Sequence, residues 1–160
     1  MNGITRLKYF GITDSAVQRI LLLKGTHVGE NLLLRFEILS GGCKEYQYNF
    51  TTETGEKYKN IVSNPEILQY KFGDVFSQKL EEEMRKYNDA SQDLFQSPPK
   101  NHDVLLVNDD DNLAITNIST LRLLANGSSL DYISDMTHSM FTINNPDSKI
   151  SCGCGISFTL

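Results

Sequence analysis

Residues 33–50, LLRFEILSGGCKEYQYNF, contain two segments of alternating polarity with a glycine pair between them. Alternation with a period of two is typical of a strand that buries one face. The apolar positions are Leu34, Phe36 and Ile38 in the first segment and Tyr46, Tyr48 and Phe50 in the second. The sequence therefore predicts two strands that pair as a hairpin, with Cys43 directly after the Gly41-Gly42 turn.

Upstream of the hairpin, residues 12–25 (ITDSAVQRILLLKG) have the pattern of a short helix. Thr13 is a suitable N-cap, because its hydroxyl can accept a hydrogen bond from the unpaired N–H groups of the first turn. Ala16, Ile20 and Leu23 share one face, and Gly25 is the expected end of the helix.

Downstream, four short apolar segments predict strands and one segment predicts a helix. The strand candidates are DVLLV (103–107), LAIT (113–116), LDYIS (130–134) and MFTIN (140–144). The helix candidate is ISTLRLLANG (118–127), with Leu121 and Leu124 facing inward and Gly127 beyond its end. Strands outnumber helices and do not alternate strictly with them, so the sequence predicts an α+β sandwich.

Between these parts, residues 52–103 are rich in charged and polar side chains and include a Pro-Pro dipeptide. One piece, QKLEEEMRKY (78–87), predicts a helix, because Leu80, Met84 and Tyr87 fall on one face. The region as a whole is interpreted as a solvated excursion from the surface rather than as a specific docking arm. We therefore expect a single domain, residues 1–160, with a polar, partly helical insertion at about 52–103.

Composition excludes several classes of function. The net charge of −5 argues against nucleic-acid binding, which requires clustered Lys and Arg. No apolar run approaches the roughly 20 residues that cross a bilayer, so no membrane insertion is expected. The first ten residues have neither the apolar core of a signal peptide nor an Arg-rich amphipathic segment, so no targeting sequence is predicted. Three cysteines, an odd and small number, favour a reducing compartment.

Cys152 and Cys154, in SCGCGISF (151–158), are placed to bind one soft metal centre together. In an extended segment, side chains at positions i and i+2 point to the same face, and Gly153 and Gly155 add no bulk. A buried structural role would suit Cys43 better than this pair. A disulfide within the pair would be strained, and structural zinc normally takes four ligands in a different spacing.

Iron–sulfur chemistry fits the three cysteines better than these alternatives. Thiolates are the usual ligands of such clusters, and a cluster generally has four of them. One chain supplies three thiolates, so a second subunit or an external ligand would have to complete the coordination. A cluster held in this way can be transferred to another protein.

The segments LLRFEILSGGCKEYQYNF (33–50) and LDYISDMTHSMFTINNPDSKISCGCGISF (130–158) resemble the A-type iron–sulfur cluster carriers, which are HesB-like proteins. The resemblance also covers the helix from Thr13, and the insertion resembles that of the longer fungal mitochondrial Isa-type paralogue. The closing C-G-C-G-x-S-F, with G-G-C upstream, is its most specific feature.

The resemblance implies a compact, β-rich fold of two packed sheets with few helices and a role in iron–sulfur assembly that is not enzymatic. It implies that Cys43, Cys152 and Cys154 hold iron or a [2Fe-2S] or [4Fe-4S] cluster and help mature [4Fe-4S] proteins. It further implies a homodimer or a heterodimer with an A-type paralogue, a folate-binding-type helper protein, recipient apoproteins and a mitochondrial matrix location.

The sequence departs from the family pattern beside the cysteines. Lys44 and Glu45 stand where small residues are usual, and His138 lies where the family has a glycine-rich stretch. A cation at Lys44 would lower the pKa of Cys43 and favour its thiolate, and Glu45 could offer an oxygen to iron, although both suit a solvated turn. His27, His102 and His138 are most simply interpreted as surface residues. If His138 were a cluster ligand, His138→Ala would alter the visible spectrum of the loaded protein.

Two other functions stay open from the sequence. The chain could be a cluster-free interaction subunit that activates an A-type paralogue by heterodimerisation, an interpretation suggested by the altered loops and the insertion. It could also be a thiol-redox enzyme that cycles Cys152 and Cys154. The second is disfavoured, because no C-x-x-C begins a helix and no partner base is recognisable.

Overall fold

The computed structural model describes residues 9–26, 32–40, 46–90 and 102–144. The helices are α1 (Asp14–Thr26), α2 (Gly55–Val62), α3 (Gln78–Ala90) and α4 (Ile118–Leu124). The strands are β1 (Gly11–Ile12), β2 (Leu32–Ser40), β3 (Tyr46–Thr54), β4 (Leu68–Lys71), β5 (Asp103–Asn108), β6 (Asp111–Asn117), β7 (Ser129–Ser134) and β8 (Ser139–Asn144). These elements form two sheets, which confirms the predicted β-rich α+β class.

The larger sheet has the strand order β3-β2-β6-β5-β4. Strands β2 and β3 form the predicted antiparallel hairpin, paired without a break from Leu32 opposite Thr54 to Ser40 opposite Tyr46. Strand β6 pairs parallel with β2 and antiparallel with β5, and β4 pairs parallel with β5. The hairpin therefore forms one side of the sheet, with β3 as its edge strand.

The smaller sheet has the order β1-β7-β8. Strands β7 and β8 are antiparallel, and the two residues of β1 pair parallel with the beginning of β7. The N–H of Thr13 continues this contact by donating to the carbonyl of Leu130 at 2.9 Å. The start of α1 is thus fixed to the smaller sheet.

The main core lies between the two sheets. Phe36 on β2, Phe50 on β3 and Phe141 on β8 form a chain of rings, with centroids 6.3 Å and 6.1 Å apart. Tilted aromatic pairs at this separation are favourable. A smaller apolar cluster on the opposite face of the larger sheet, around Leu33 and Ile115, packs against α2.

Helix α1 has the predicted cap and buried face. The hydroxyl of Thr13 accepts from the N–H of Ala16 at 3.3 Å, and Ala16, Ile20 and Leu23 are buried. The expected end at Gly25 is wrong, because the helix continues to Thr26. The ammonium group of Lys24 donates to the carbonyl of Asn112, which holds the last turn against β6.

The interpretation of residues 52–103 as a solvated excursion is wrong for several of its elements. Strand β4 completes the larger sheet with Tyr70 buried, and α3 buries Leu80 and Met84 in the main core. The helix at α3 was predicted, whereas α2 and β4 were not. The alternation of buried Leu68 and Tyr70 with exposed residues spans only four positions, too few to stand out in a polar region.

No helix in residues 9–26, 32–40, 46–90 and 102–144 has the length and apolar character that crossing a membrane requires.

Candidate functional site

The two strands of the β2/β3 hairpin determine where Cys43 enters the fold. Their last pair is Ser40 opposite Tyr46, so Cys43 belongs to the connection between them. Cys43 itself lies outside the described residues, as do Gly41, Gly42, Lys44 and Glu45. The structure therefore shows the strand ends that flank this connection, Ser40 and Tyr46. The roles expected for Cys43 and its neighbours remain predictions.

The distal part of this hairpin leaves the sheet before it reaches Cys43. Strand β2 pairs with β6 only at Leu34 opposite Ala114 and Arg35 opposite Ile115. Beyond these positions β2 pairs only with β3 within the part of the chain that the structure covers. We call residues 36–40 and 46–50 the hairpin arm.

Two buried threonines bond to the hairpin arm where the β6 ladder has stopped. The hydroxyl of Thr116, at the end of β6, donates to the carbonyl of Phe36 at 2.6 Å. The N–H of Ile38 donates to the hydroxyl of Thr120, in the first turn of α4, at 3.0 Å. Both threonines are buried, and their hydroxyls replace the missing strand partner.

An ion-pair network lies at the base of the hairpin arm, on the outer face of the larger sheet. Arg35 contacts the carboxylates of Asp103 at 3.1 Å and Glu37 at 3.2 Å, and that of Glu53. Burial alone would lower the pKa of Arg35, but hydrogen bonds and charge attraction from Asp103 and Glu53 outweigh it and raise that pKa. Three carboxylates around one guanidinium leave this surface acidic.

The segment that carries the other two cysteines begins at the end of β8. The side-chain amide of Asn144 donates to Asp131 at 3.1 Å, and Asp131 also accepts from the hydroxyl of Thr13 at 2.6 Å. The segment therefore starts beside the N-terminus of α1. Cys152 lies eight residues farther along the chain. Eight residues of fully extended chain reach at most about 29 Å.

Cys152 and Cys154, the predicted ligands in this segment, lie outside the described residues. Gly153 and Gly155 lie outside them as well. Within the described ranges, no group of three or more His, Cys, Asp or Glu side chains could hold a metal ion. The described residues thus give the framework for the predicted cysteine site, and the ligand set remains a prediction.

His138 lies on the turn between β7 and β8 and is largely exposed. Its Nδ1 is 2.7 Å from the hydroxyl of Thr137, which is itself 3.1 Å from the carboxylate of Asp135. Backbone N–H groups of His138 and Thr137 lower the pKa of Asp135, so this carboxylate is an acceptor. The single proton of the Thr137 hydroxyl can be donated to Asp135 or to Nδ1, so the direction of the bond to His138 depends on which nitrogen of the ring carries the proton.

The other histidines add little to the candidate site. His102 lies 3.9 Å from Glu83 of α3, and His27 is outside the described residues. Sequence reasoning missed Thr116, Thr120 and Arg35. The only local signal was a threonine among apolar residues in the LAIT segment of β6.

The chain is similar to curated proteins of iron–sulfur cluster insertion and assembly. It is 28% identical over 149 residues to the "Iron-sulfur cluster insertion protein ErpA" of Psychrobacter cryohalolentis, covering 93% of this chain and 82% of that protein. It is 29% identical to the protein of the same name from Edwardsiella ictaluri, covering 92% and 90%.

A third relative is the "Iron-sulfur assembly protein 2" of Saccharomyces cerevisiae, which is 32% identical over 129 residues. The alignment covers 79% of this chain and 56% of the yeast protein. No protein-family model matches the chain. The similarities extend over most of the chain, and they confirm its predicted resemblance to the A-type iron–sulfur carriers.

Proposed function

We propose that the chain carries or scaffolds an iron–sulfur cluster, or iron, and delivers it to recipient apoproteins, including [4Fe-4S] proteins, without acting as an enzyme. The observation that carries this proposal is the similarity, over most of the chain, to proteins named for iron–sulfur insertion and assembly. The pairing of Ser40 with Tyr46 supports it, because Cys43 belongs to the connection between these residues and connections between strands generally run over the surface, where cargo and partners can reach them.

Cys43, Cys152 and Cys154 are the proposed ligands of this cargo. Thiolates bind both [2Fe-2S] and [4Fe-4S] clusters, which generally have four protein ligands. With three thiolates in one chain, the fourth ligand comes from a second copy, an A-type paralogue or a small molecule. An incomplete ligand set favours transfer, because a recipient thiolate can enter without displacing a complete cage.

The proposed partners and location follow from the resemblance. They are a second subunit, which is a copy of the chain or a paralogue, a folate-binding-type helper protein and the apoproteins that receive the cluster. The proposed location is the mitochondrial matrix, as the resemblance to the Isa-type paralogue implies.

Anaerobic reconstitution with iron and sulfide tests the proposal. The wild-type chain, the three single Cys→Ser variants and the triple variant are reconstituted alone and with a paralogue, and Mössbauer spectra are recorded. Ser151→Ala is the matched control, because it changes a hydroxyl beside Cys152 and leaves every thiol in place. We expect a cluster in wild type and Ser151→Ala, a strong reduction in each single variant and no cluster in the triple variant.

A cluster that survives in the triple variant would contradict the ligand assignment. The absence of any cluster in wild type, alone and with a paralogue, would favour the cluster-free interaction subunit. In that case the triple variant would still activate a paralogue as well as wild type does.

A further inference from the structure

We infer that Thr120 is a positioning residue for the hairpin arm, which leads to the proposed ligand Cys43, and that it acts through the backbone of Ile38. The inference rests on the proposed function, because it assigns Thr120 a role in holding one of the three proposed ligands. Thr120 makes no contact with the cargo in this role. It sets the direction in which the hairpin arm leaves the sheet.

On the β2 side, the hairpin arm has no neighbouring strand among the described residues. Its strand β2 has no β6 partner beyond Arg35, and a two-stranded ribbon alone is only marginally stable. The position of the arm therefore depends on the packing of Phe36, Tyr48 and Phe50 in the main core and on the hydrogen bonds that join it to the remainder of the domain. Within the described residues, the bonds of Phe36 to Thr116 and of Ile38 to Thr120 are such links.

Thr120 is itself held in place by the hydrogen bonds of the first turn of α4. Its N–H donates to the side-chain oxygen of Asn117 at 2.9 Å, which caps the N-terminus of α4. The N–H of Ile118 donates to the carbonyl of His102 at 2.9 Å, which fixes the same turn to the chain entering β5. Thr120 is therefore a fixed point against which Ile38 is positioned.

Helix α4 is in turn supported by α3. Helix α3 packs against α4, and Leu121 and Leu124 of α4 are buried in the same core cluster as Leu80 and Met84 of α3. Because α4 is fixed in this way, the hydroxyl of Thr120 accepts from the N–H of Ile38 at a defined position. This bond favours one orientation of the hairpin arm.

Hydrogen exchange and cluster retention in threonine variants test this role. Thr120→Val keeps the shape of the side chain and removes the acceptor of the Ile38 N–H, whereas Thr120→Ser keeps the hydroxyl. Thr142→Val, at a half-buried threonine on β8, is the matched control. All are compared as full chains under conditions in which wild type is folded.

In Thr120→Val, we expect the amides of Ile38 and of Asn49, which pairs with the neighbouring Glu37, to exchange about tenfold faster than in wild type, because a hydrogen bond worth about 1.4 kcal/mol is lost. The amide of Leu105 in the sheet should be unchanged. The reconstituted variant should lose its cluster to a chelator several-fold faster, and Thr120→Ser and Thr142→Val should resemble wild type in every measurement.

Unchanged exchange at Ile38 and Asn49 in Thr120→Val would overturn the inference, as would equal cluster loss in the Val and Ser variants. If Thr120→Val fails to fold, Thr120→Ala, which leaves space for a water molecule, replaces it in the same comparison with Thr120→Ser. If wild type binds no cluster, the proposed function fails, and the exchange measurements still decide whether Thr120 positions the hairpin arm.

Discussion

The guanidinium of Arg35 on β2 reaches across β6 to bind the carboxylate of Asp103 at the start of β5 through two contacts of 3.1 Å. Such a two-contact geometry is the strongest arrangement available to an arginine and a carboxylate. Because Arg35 also binds Glu53 on β3, one side chain joins three strands of the larger sheet. It does so where the hairpin arm begins to leave that sheet.

Replacing Arg35 with Met should destabilise the domain by about 2–3 kcal/mol. The change leaves Glu53, Glu37 and Asp103 without their shared cation, and an unpaired, partly buried charge is costly. The estimate lies below the value for a fully buried pair, because the Asp103 side chain is 40% exposed. Urea unfolding at neutral pH measures the loss.

Arg85→Met is the matched control, because the Arg85 side chain is 68% exposed and its contact with Glu81 is long, at 3.8 Å. Its effect should be within about 0.5 kcal/mol. Equal losses in the two variants would show that the Arg35 network adds no more stability than a surface ion pair.

Leu80→Ala tests whether residues 52–103 are part of the domain core. Leu80 on α3 is only 1% exposed, so its truncation should cost about 2–4 kcal/mol by removing apolar contacts and leaving a cavity. Val75→Ala, at a side chain that is 80% exposed, should cost less than about 0.5 kcal/mol. A Leu80 variant as stable as the Val75 variant would restore the interpretation of this region as a solvated excursion.

The acid dependence of stability should decrease in Asp131→Asn. Burial acts to raise the pKa of Asp131, but hydrogen bonds from Thr13, Asn144 and the N–H of Tyr132 lower it below the ordinary value of 3.8. A lowered pKa in the folded state contributes stability above pH 3.8, and this contribution is lost as the pH falls through the folded-state pKa.

Urea unfolding at pH 7 and near pH 3 measures the effect of Asp131→Asn. The variant should be less stable than wild type at pH 7, and the difference should shrink near pH 3. Asp110→Asn, on the exposed turn between β5 and β6, provides a comparison for the loss of one negative charge. A difference from wild type that does not change with pH would contradict the assignment.

The elements that sequence reasoning predicted carry their signal within a few adjacent residues. The hydroxyl of Thr13 accepts a hydrogen bond from the N–H of Ala16, only three positions farther along the chain. The alternation at Leu34 and Phe36 belongs to a strand of nine residues. Such local patterns reflect the burial that the fold requires. Strand β1, with two residues, and β4, with four, are too short to show a period.

The part of the site that sequence reasoning missed depends on contacts between distant positions. The bond between Ile38 and Thr120 joins residues 82 positions apart, and that between Phe36 and Thr116 joins residues 80 apart. Neither partner has a pattern in its own neighbourhood that indicates the other. The cysteines could be singled out from residue type and spacing, whereas the supports of the hairpin arm required the topology of β6 and α4.

The hydrogen bond between Thr13 and Asp131, 118 positions apart, also has a consequence for the synthesis of the protein. At elongation rates of about 5–20 residues per second, roughly 6–24 s pass between the addition of the first residue and that of the second. During this interval the apolar face of α1 has no β7 to pack against. Completion of the smaller sheet is therefore a late event in biogenesis, and a chaperone that binds nascent apolar segments would act on α1.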